Sequence, residues 1–243
     1  ESMRRDFSSN VSHEMKTPLQ VISGYAELMK NDMVLPEDRQ KFAGLIYDEA
    51  QAMRGLINDV LTLSKLDESA FAREERPIDV TSVARRMAGR LESFAADEGV
   101  SISVKGASAH INGSETLAEE MLYNLIENAV RYNHAGGSVS VRVSQGAASE
   151  EVLEALRAAG AEPDPESVVT VRVSDTGAGI PEEMREKVFE RFFRLDKSRS
   201  KETGGTGLGL AIVKHAVQYH HGTICVEGAQ GEGTTFVLRL PAA

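Results

Sequence analysis

A histidine on a predicted amphipathic helix is the first residue of this chain with the means to do chemistry. Apolar residues recur there at steps of three and four, the pattern of one buried helix face. His13 lies two positions from both Val11 and Met15, about 200° from each around the helix, so we expect it to face solvent. Pro18 removes a backbone donor further along and predicts a kink. Alone, an exposed histidine is most often an ordinary surface residue.

A glycine-rich segment near the C-terminus is typical of an anion site. Residues 204–209 read Gly-Gly-Thr-Gly-Leu-Gly and precede a predicted helix. Backbone amides and the helix N-terminus would face an anion without side chains in the way, so phosphate is the expected ligand. The segment lacks the Lys-Ser/Thr ending of a Walker loop and follows no strand, which argues against a dinucleotide fold. Flexible loops share this composition.

Two further groups of polar residues suit a nucleotide. Asp175 ends a predicted strand, where its carboxylate could bind an exocyclic amine while Gly177 and Gly179 let a flat base approach. Asn124 and Asn128, four residues apart, share one helix face and could offer two amide oxygens to Mg²⁺ bridging phosphates. The alternatives are an ordinary Asp-Gly turn and surface or capping amides.

The elements that must position these residues divide into two domains. Residues 1–68 are predicted to form a helical hairpin with a turn at 31–36, and both helices carry apolar stripes. Such spacing is typical of a helical bundle, so we expect two copies to form a dimeric four-helix bundle. Packing of the hairpin onto the second domain is the alternative. The charged stretch at 69–76 predicts a linker and hinge before a domain at 77–243.

The second domain is predicted to mix helices and strands. Alternating valines indicate two core strands at 139–143 and 169–173, and strong periodicity indicates a helix at 115–132. The remaining elements are strands at 78–80 and 100–104, helices at 81–96 and 208–219, and a hairpin of 223–227 with 234–240 turned through Gly228, Gly231 and Gly233. Residues 145–167 are an insertion with a short predicted helix at 150–159, expected to be a solvated excursion.

Charge and hydropathy exclude several classes of partner. The formal charge is −10 and no Lys/Arg run is clustered, which argues against nucleic acid and anionic membrane surfaces. The sequence contains no stretch of about 18 apolar residues, so it predicts no membrane span. The chain starts inside a predicted helix, so we expect a fragment of a longer protein whose upstream segments hold any membrane anchor.

Taken together, the motifs resemble one family. The chain is similar to the catalytic core of bacterial sensor histidine kinases, and the motifs that carry this resemblance, in chain order across nearly its whole length, are Ser12 to Pro18, Asn124 to Asn128, Asp175 to Gly179, Phe189 to Phe193 and Gly205 to Leu210. The resemblance implies an α+β fold: the helical hairpin as dimerisation and phosphoacceptor domain, then an α/β sandwich ATP-binding domain of the Bergerat fold, as in gyrase, Hsp90 and MutL.

The resemblance also implies roles for individual residues. His13 would be phosphorylated, Glu14 would take its ring proton, and Thr17 would orient water in a reverse, phosphatase reaction. ATP and Mg²⁺ would be the cofactors, with Asn128 as the Mg²⁺ ligand and Asn124 as its helper. Around the nucleotide, the resemblance implies that Arg131 and Tyr132 contact phosphate or base, that Asp175 binds adenine, and that Gly177 and Gly179 surround the base. It implies a lid at 195–206 that is held by Phe189, Phe192 and Phe193. The residues implied on the phosphate side of this lid are Gly205, Gly207, Leu208 and Gly209.

For the whole protein, the resemblance implies a homodimer that passes its phosphoryl group to an aspartate of a response-regulator receiver domain. It implies the cytoplasmic portion of a membrane-anchored sensor. Two positions depart from the family pattern: Lys16 replaces a common arginine, and Ser114 replaces an aspartate, which puts the cap of the following helix in doubt. Whether a subunit phosphorylates itself or its partner depends on the turn at 31–36 and stays open.

Two other functions fit parts of the pattern. A related ATPase clamp would use a glutamate one turn before the metal-binding asparagine to activate water; Asn124 holds that position here, but Glu120 and Glu127 are near in sequence and keep this reading open. A non-catalytic dimeric scaffold is the third reading, and the presence of every expected catalytic residue argues against it.

Overall fold

The N-terminal region is a helical hairpin. The computed structural model describes residues 2–67, 76–195 and 205–243. Helix α1 (Ser2–Lys30) contains Pro18, and a 3-10 turn at Pro36–Asp38 leads into α2 (Arg39–Asp67). Tyr25 packs edge-on against Phe42 with ring centroids 5.2 Å apart, which joins the two helices. The predicted hairpin is confirmed, and the linker prediction falls, apart from Arg76, outside the described residues.

The rest of the chain forms a mixed domain built on two sheets. Its helices and strands are β1 (Arg76–Asp79), α3 (Val80–Arg90), α4 (Glu92–Asp97), β2 (Ser101–Lys105), β3 (His110–Gly113), α5 (Glu115–Arg131), β4 (Ser138–Gly146), α6 (Glu150–Ala158), β5 (Val168–Asp175), α7 (Gly209–Tyr219), β6 (Thr223–Gly228) and β7 (Thr234–Pro241). The larger sheet has the order β2-β4-β5-β7-β6, and β1 pairs with β3 in a separate ribbon. Only β2 and β4 run parallel; the other pairs are antiparallel.

One face of the larger sheet carries the core. Val139, Val141 and Val143 alternate with exposed or half-buried residues along β4, as the two-residue period of a strand requires. Helices α3, α5 and α7 contact each other or the sheet on this face. Burial of these aliphatic side chains supplies the main stabilisation, at roughly 25 cal/mol per Å² of apolar surface.

Three sequence predictions for this domain were wrong or incomplete. The helix expected at 81–96 is interrupted at Leu91, whose backbone (φ −96°, ψ 0°) leaves the helical region while its side chain stays 2% exposed in the core. Strand β3 was missed because four residues give too short an alternating pattern. The insertion is no simple solvated excursion, since Leu153 and Leu156 of α6 are buried against Val168.

The helical hairpin packs onto the second domain through an apolar interface, which we call the interdomain seam. Its buried members are Leu56 and Leu63 of α2 with Leu208, Ala211 and Ile212 at the start of α7, and Phe7, Met15, Val60 and Phe192 pack at its edge. The seam corresponds to the packing that sequence analysis left as the alternative for the hairpin. It uses only part of the hairpin surface.

A buried histidine ends α7. His220 is 3% exposed, its Nδ1 lies 2.7 Å from the carbonyl oxygen of Ala216, and its ring packs so closely on Gly113 that any Cβ there would collide with it. Its Nε2 is buried beside the backbone of Ser114 with no hydrogen-bond partner in the described part of the chain. Burial lowers the pKa of His220, because desolvation disfavours the imidazolium, and the Ala216 carbonyl opposes this.

This lowered pKa predicts acid sensitivity. Below its ordinary pKa of 6.5, His220 binds a proton in the unfolded chain but not in the folded one, so its contribution to stability is complete above that pH and is lost as pH falls further. Urea unfolding at pH 7.5 and pH 5 should therefore show a smaller acid-induced loss in His220→Leu than in the unmodified chain. Equal losses would contradict the prediction; comparing the two proteins cancels the opposing effects of other titrating groups.

Candidate functional site

The predicted acceptor histidine is open to solvent. The side chain of His13 is 80% exposed, and its Nδ1 lies 3.8 Å from Glu14 Oε1. Thr17 Oγ1 donates to the His13 carbonyl oxygen at 3.4 Å, one helical turn along. The expectation that His13 faces away from the apolar stripe is confirmed. Glu14 lies close enough to pair with the imidazole ring of His13 when that ring is protonated.

Helix α5 supplies most of the polar residues of the second candidate site. Its apolar face is fully buried, with 0% exposure at Leu117, Met121, Leu122, Leu125 and Ile126. Ser114 precedes the helix without a side-chain cap, the consequence expected from the departure at this position. With the apolar face fixed in the core, the helical period turns the other face outward.

That outward face forms one wall of a cleft of about 320 Å³, within the usual range for ligand sites. Helix α2 forms the opposite wall, and the start of α7 closes one end. The lining residues are Glu120, Tyr123, Asn124, Glu127, Asn128 and Arg131 from α5, Gln51, Ala52, Gly55 and Asp59 from α2, and Gly205, Thr206 and Gly209 near α7. Five of the predicted cofactor residues are thus brought together here: Asn124, Asn128, Arg131, Gly205 and Gly209.

The asparagine and arginine side chains in the cleft are held in place. Asn124 Nδ2 donates to the Glu120 carbonyl oxygen at 2.8 Å, and a Cβ on Gly209 would lie 2.6 Å from Asn124 Oδ1. A side chain at position 209 would therefore displace the Asn124 amide. Arg131 donates to Glu127 Oε1 at 2.8 Å, and its guanidinium carbon lies 5.3 Å from the ring centroid of Phe94.

Asp175 lies outside this cleft, in a tight turn that uses the predicted glycines. Its Oδ1 accepts hydrogen bonds from the backbone of Gly177 at 2.8 Å and of Thr234 at 3.1 Å. Burial raises the pKa of Asp175, and these two bonds oppose the shift. Gly179 has φ +73° and, like Gly177, contacts neighbouring backbone too closely for a Cβ. The other carboxylate oxygen of Asp175, Oδ2, takes no part in these two hydrogen bonds.

Tyr132 connects the two places. Its backbone oxygen packs against Gly177, and its hydroxyl oxygen lies 3.4 Å from a Cβ built on Gly205. The side chain is 51% exposed, so it can contact a ligand. A nucleotide with its base near Asp175 and its phosphates in the cleft would pass this tyrosine.

The predicted aromatic cluster divides between two partners. Phe189 packs on Phe236 of the sheet, whereas Phe192 packs on Phe7 of α1 with ring centroids 5.8 Å apart. Phe192 (φ +63°) donates its N–H to the Gly207 carbonyl oxygen at 2.8 Å, and Gly207 (φ +71°) leaves no room for a Cβ. This bond joins the two ends of the predicted lid, of which residues 196–204 lie outside the described residues.

Leu208 differs from the other predicted cofactor residues. Its side chain is fully buried in the interdomain seam, and its N–H donates to Thr206 Oγ1 at 3.2 Å. It therefore positions the start of α7 and does not line the cleft.

Sequence reasoning missed the α2 wall. Gln51, Gly55 and Asp59 recur every four residues along one helix face, a polar pattern that surface helices share. Burial raises the pKa of Asp59 to about 6, a hydrogen bond from Thr206 opposes this, and Glu120 and Glu127 add to it. Burial likewise raises the pKa of Glu120. These carboxyl groups make the cleft acidic.

The donor set fits Mg²⁺-bound phosphates. Amide and carboxylate oxygens are hard ligands of the kind that Mg²⁺ takes, and this ion usually completes its shell with substrate phosphates and water. Among the described residues, no cluster of three or more His, Cys, Asp or Glu side chains is suited to hold a metal ion. The described helices include none long and apolar enough to cross a membrane.

Comparison with known families agrees with this geometry. The family model of histidine kinase-, DNA gyrase B- and HSP90-like ATPases matches residues 113–243, and the model of the His Kinase A phosphoacceptor domain matches residues 3–69. The chain belongs to the histidine kinase-, DNA gyrase B- and HSP90-like ATPase family, as the catalytic core of a sensor histidine kinase.

Individual relatives are also sensor kinases. The sensor-like histidine kinase SenX3 of Mycolicibacterium smegmatis is 34% identical over 242 residues, covering 99% of this chain and 58% of that protein. The phosphate regulon sensor protein PhoR of Pseudomonas aeruginosa is 34% identical, covering 100% of this chain and 51% of the relative. The chain thus spans somewhat more than half the length of these curated relatives.

Solved structures share the architecture. The mycobacterial sensor histidine kinase MprB is 30% identical over 69% of this chain and 97% of its own, with a TM-score of 0.54. The histidine kinase ThkA, solved in complex with the response regulator protein TrrA, covers 100% of this chain and 63% of its own with a TM-score of 0.71; at 21% identity it shows the fold alone.

The closeness of Gly209 to Asn124 predicts a steric effect on nucleotide binding. In Gly209→Ala the new methyl group displaces the Asn124 amide, and loss of one hydrogen bond to a charged ligand should weaken ATP binding by about tenfold or more. Isothermal titration with ATP and Mg²⁺ measures this. Gly89→Ala on α3 is the matched control, because a Cβ there meets nothing within 4 Å and the residue lies outside the cleft. Equal affinities in all three proteins would show that Asn124 is not at the ligand.

Proposed function

We propose that this chain transfers the terminal phosphoryl group of ATP to His13, then to an aspartate of a response-regulator receiver domain. The observation that carries the proposal is the combination, on one chain, of a solvent-exposed histidine beside Glu14 and a separate cleft of phosphate-binding character. An acceptor that must meet a donor site and then a second protein needs this exposure.

The residues divide the chemistry between the two domains. A neutral ring nitrogen of His13 attacks the terminal phosphorus in line, and Glu14 stabilises the proton left on the other nitrogen. Asn128 would hold Mg²⁺ with Asn124 in support, and the bound ion would supply positive charge to the phosphates. The start of α7 presents backbone amides at Gly205 and Gly209. Asp175, Gly177 and Gly179 hold the base, and Arg131 and Tyr132 contact the phosphates or base.

Transfer to His13 requires either a movement of the two domains or a second subunit. His13 is not among the residues that line the cleft in the described structure. Either the ATP-binding domain leaves the interdomain seam and turns on the linker at 69–76, or the cleft serves His13 of a second subunit. Thr17, one turn after His13, is placed to orient water for dephosphorylation of the receiver domain.

A dimer is supported by the uncovered apolar surface of the hairpin. Of nine large hydrophobic side chains exposed in the described part of the chain, seven lie between residues 19 and 61. Val21, Tyr25, Leu28 and Met33 line an open apolar groove on this surface. A second hairpin packed there would complete the four-helix bundle. We also propose that this chain is the cytoplasmic portion of a membrane-anchored sensor.

An ATPase clamp is the second candidate, because the cleft contains Glu120 and Glu127. Burial raises the pKa of Glu120, as a general base would require, but its backbone carbonyl is the group that contacts Asn124. This function predicts release of free phosphate without labelled protein.

Incubation with γ-labelled ATP and Mg²⁺ separates the candidates. The unmodified chain should acquire acid-labile, alkali-stable label, His13→Ala should acquire none, and His110→Ala, another exposed histidine, should label normally. Label that persists in His13→Ala, or free phosphate with no label on the protein, would contradict the proposal. Mixing His13→Ala with Asn128→Ala then separates the two geometries, since label appears only if the cleft of one subunit serves the other.

The apolar groove predicts the oligomeric state. Leu28→Glu places a charge where the second hairpin would pack, and it should convert the dimer to a monomer in light scattering after size-exclusion chromatography. Leu195→Glu makes the same change at an exposed leucine outside the hairpin and should leave the dimer intact. A dimer that survives Leu28→Glu would place the subunit contact elsewhere.

A further inference from the structure

Asp59 reaches from the helical domain into the cleft of the other domain. The Thr206 hydroxyl donates a hydrogen bond to Asp59 Oδ2 at 2.7 Å. The hydroxyl oxygen of Thr206 also accepts a hydrogen bond from the N–H of Leu208 at 3.2 Å. Thr206 therefore joins the carboxylate to the start of α7. Because this contact crosses between domains, it exists only while α2 is seated on the second domain.

The seam fixes where this carboxylate lies. Leu56, Val60 and Leu63, at positions −3, +1 and +4 from Asp59, all belong to the seam, and Leu63 is fully buried. Rotation of α2 would expose these apolar side chains to water, which is unfavourable for each of them. Asp59 is thus held over the cleft by the packing of its neighbours as well as by its own hydrogen bond.

The surroundings of Asp59 are acidic. Glu120 and Glu127 face it from α5, and burial raises its pKa to about 6, so above pH 7 it carries its charge. Arg131 is the single cation among the residues that line the cleft, and its guanidinium is engaged by Glu127 at 2.8 Å. Carboxyl groups thus outnumber cations among the described residues that line the cleft, so a further negative group there is repelled.

The end of a bound phosphate chain should come nearest to Asp59. The base site around Asp175 lies on the far side of Tyr132 and outside the cleft, whereas α2 forms the opposite wall. A nucleotide that passes Tyr132 toward Asn128 therefore extends its phosphates toward α2. ADP, one phosphate shorter, stops earlier along this path.

We propose that Asp59 makes the seated arrangement of the two domains discriminate against ATP in favour of ADP, by opposing the terminal phosphate with a fixed carboxylate. The inference rests on the proposed function, of which it specifies the regulation. Since coupling is reciprocal, binding of ATP weakens the seam by the same free energy with which the seam weakens ATP binding. Loading with ATP thus favours release of the ATP-binding domain from α2, the movement that transfer to His13 of the same subunit requires.

Titration calorimetry with ATP and with ADP, both with Mg²⁺, tests this in the intact dimeric chain. Asp59→Asn removes the charge but keeps an oxygen to accept the Thr206 hydroxyl; it should tighten ATP binding by about tenfold, the effect of one partly screened charge, and ADP binding by less than about threefold. Asp48→Asn makes the same charge change at an exposed site of α2 outside the cleft and should alter neither affinity.

A second readout follows the seam itself. The chain contains no tryptophan, so Phe7→Trp places one fluorophore against Phe192 at the edge of the seam. ATP should shift its emission to the red as the seam opens, ADP should shift it less, and Thr206→Val, which removes the hydrogen bond to Asp59, should shift it without nucleotide.

The outcomes separate the inference from the proposed function. If the unmodified chain binds both nucleotides but Asp59→Asn changes the two affinities equally or not at all, the discrimination by Asp59 is wrong and the kinase proposal stands. An emission spectrum that ATP and ADP leave unchanged contradicts the coupling to the seam. If neither nucleotide binds, both proposals fail together.

Discussion

The packing of α5 is the constraint on which the site depends. Leu117, Leu122 and Leu125 are fully buried beneath α3 and α7 and against the sheet, so the helix cannot rotate without opening the core. Asn124 and Asn128 are consequently fixed in direction by buried residues that do not line the cleft. A candidate site built in this way is rigid on one wall, and apolar packing sets the position of its polar groups.

The opposite wall has a different character. It is formed by α2, which belongs to another domain and packs through the apolar seam, and the hydrogen bond between Asp59 and Thr206 also crosses this interface. Interdomain contacts of this kind are the ones that proteins break during function. If the proposed function holds, a fixed wall on α5 and a removable wall on α2 together would allow one cleft to hold a nucleotide in one arrangement and to present it to a histidine in another.

Much of the fold followed from periodicity, because long amphipathic helices and alternating valines leave clear patterns. Helices α1, α2, α5 and α7 and strands β4 to β7 lie where the patterns indicate. Periodicity did not predict strand β3, because pairing with the distant strand β1 stabilises it. It did not predict the break at Leu91 either, because a single buried side chain stabilises that break. Neither cause is visible in a local window of sequence.

The candidate site, like the fold, could be predicted from the sequence only where its residues lie close together along the chain. Residues within one motif, such as Asn124 and Asn128, are placed by the helix that carries them. Asp59 is 147 residues from Thr206 in sequence, and only the seam brings the two side chains together. Phe192 likewise looked like part of an aromatic cluster, yet it packs on Phe7 of the other domain. Motifs thus identify the chemistry of each domain, whereas the contacts that control when the two domains meet come from tertiary packing.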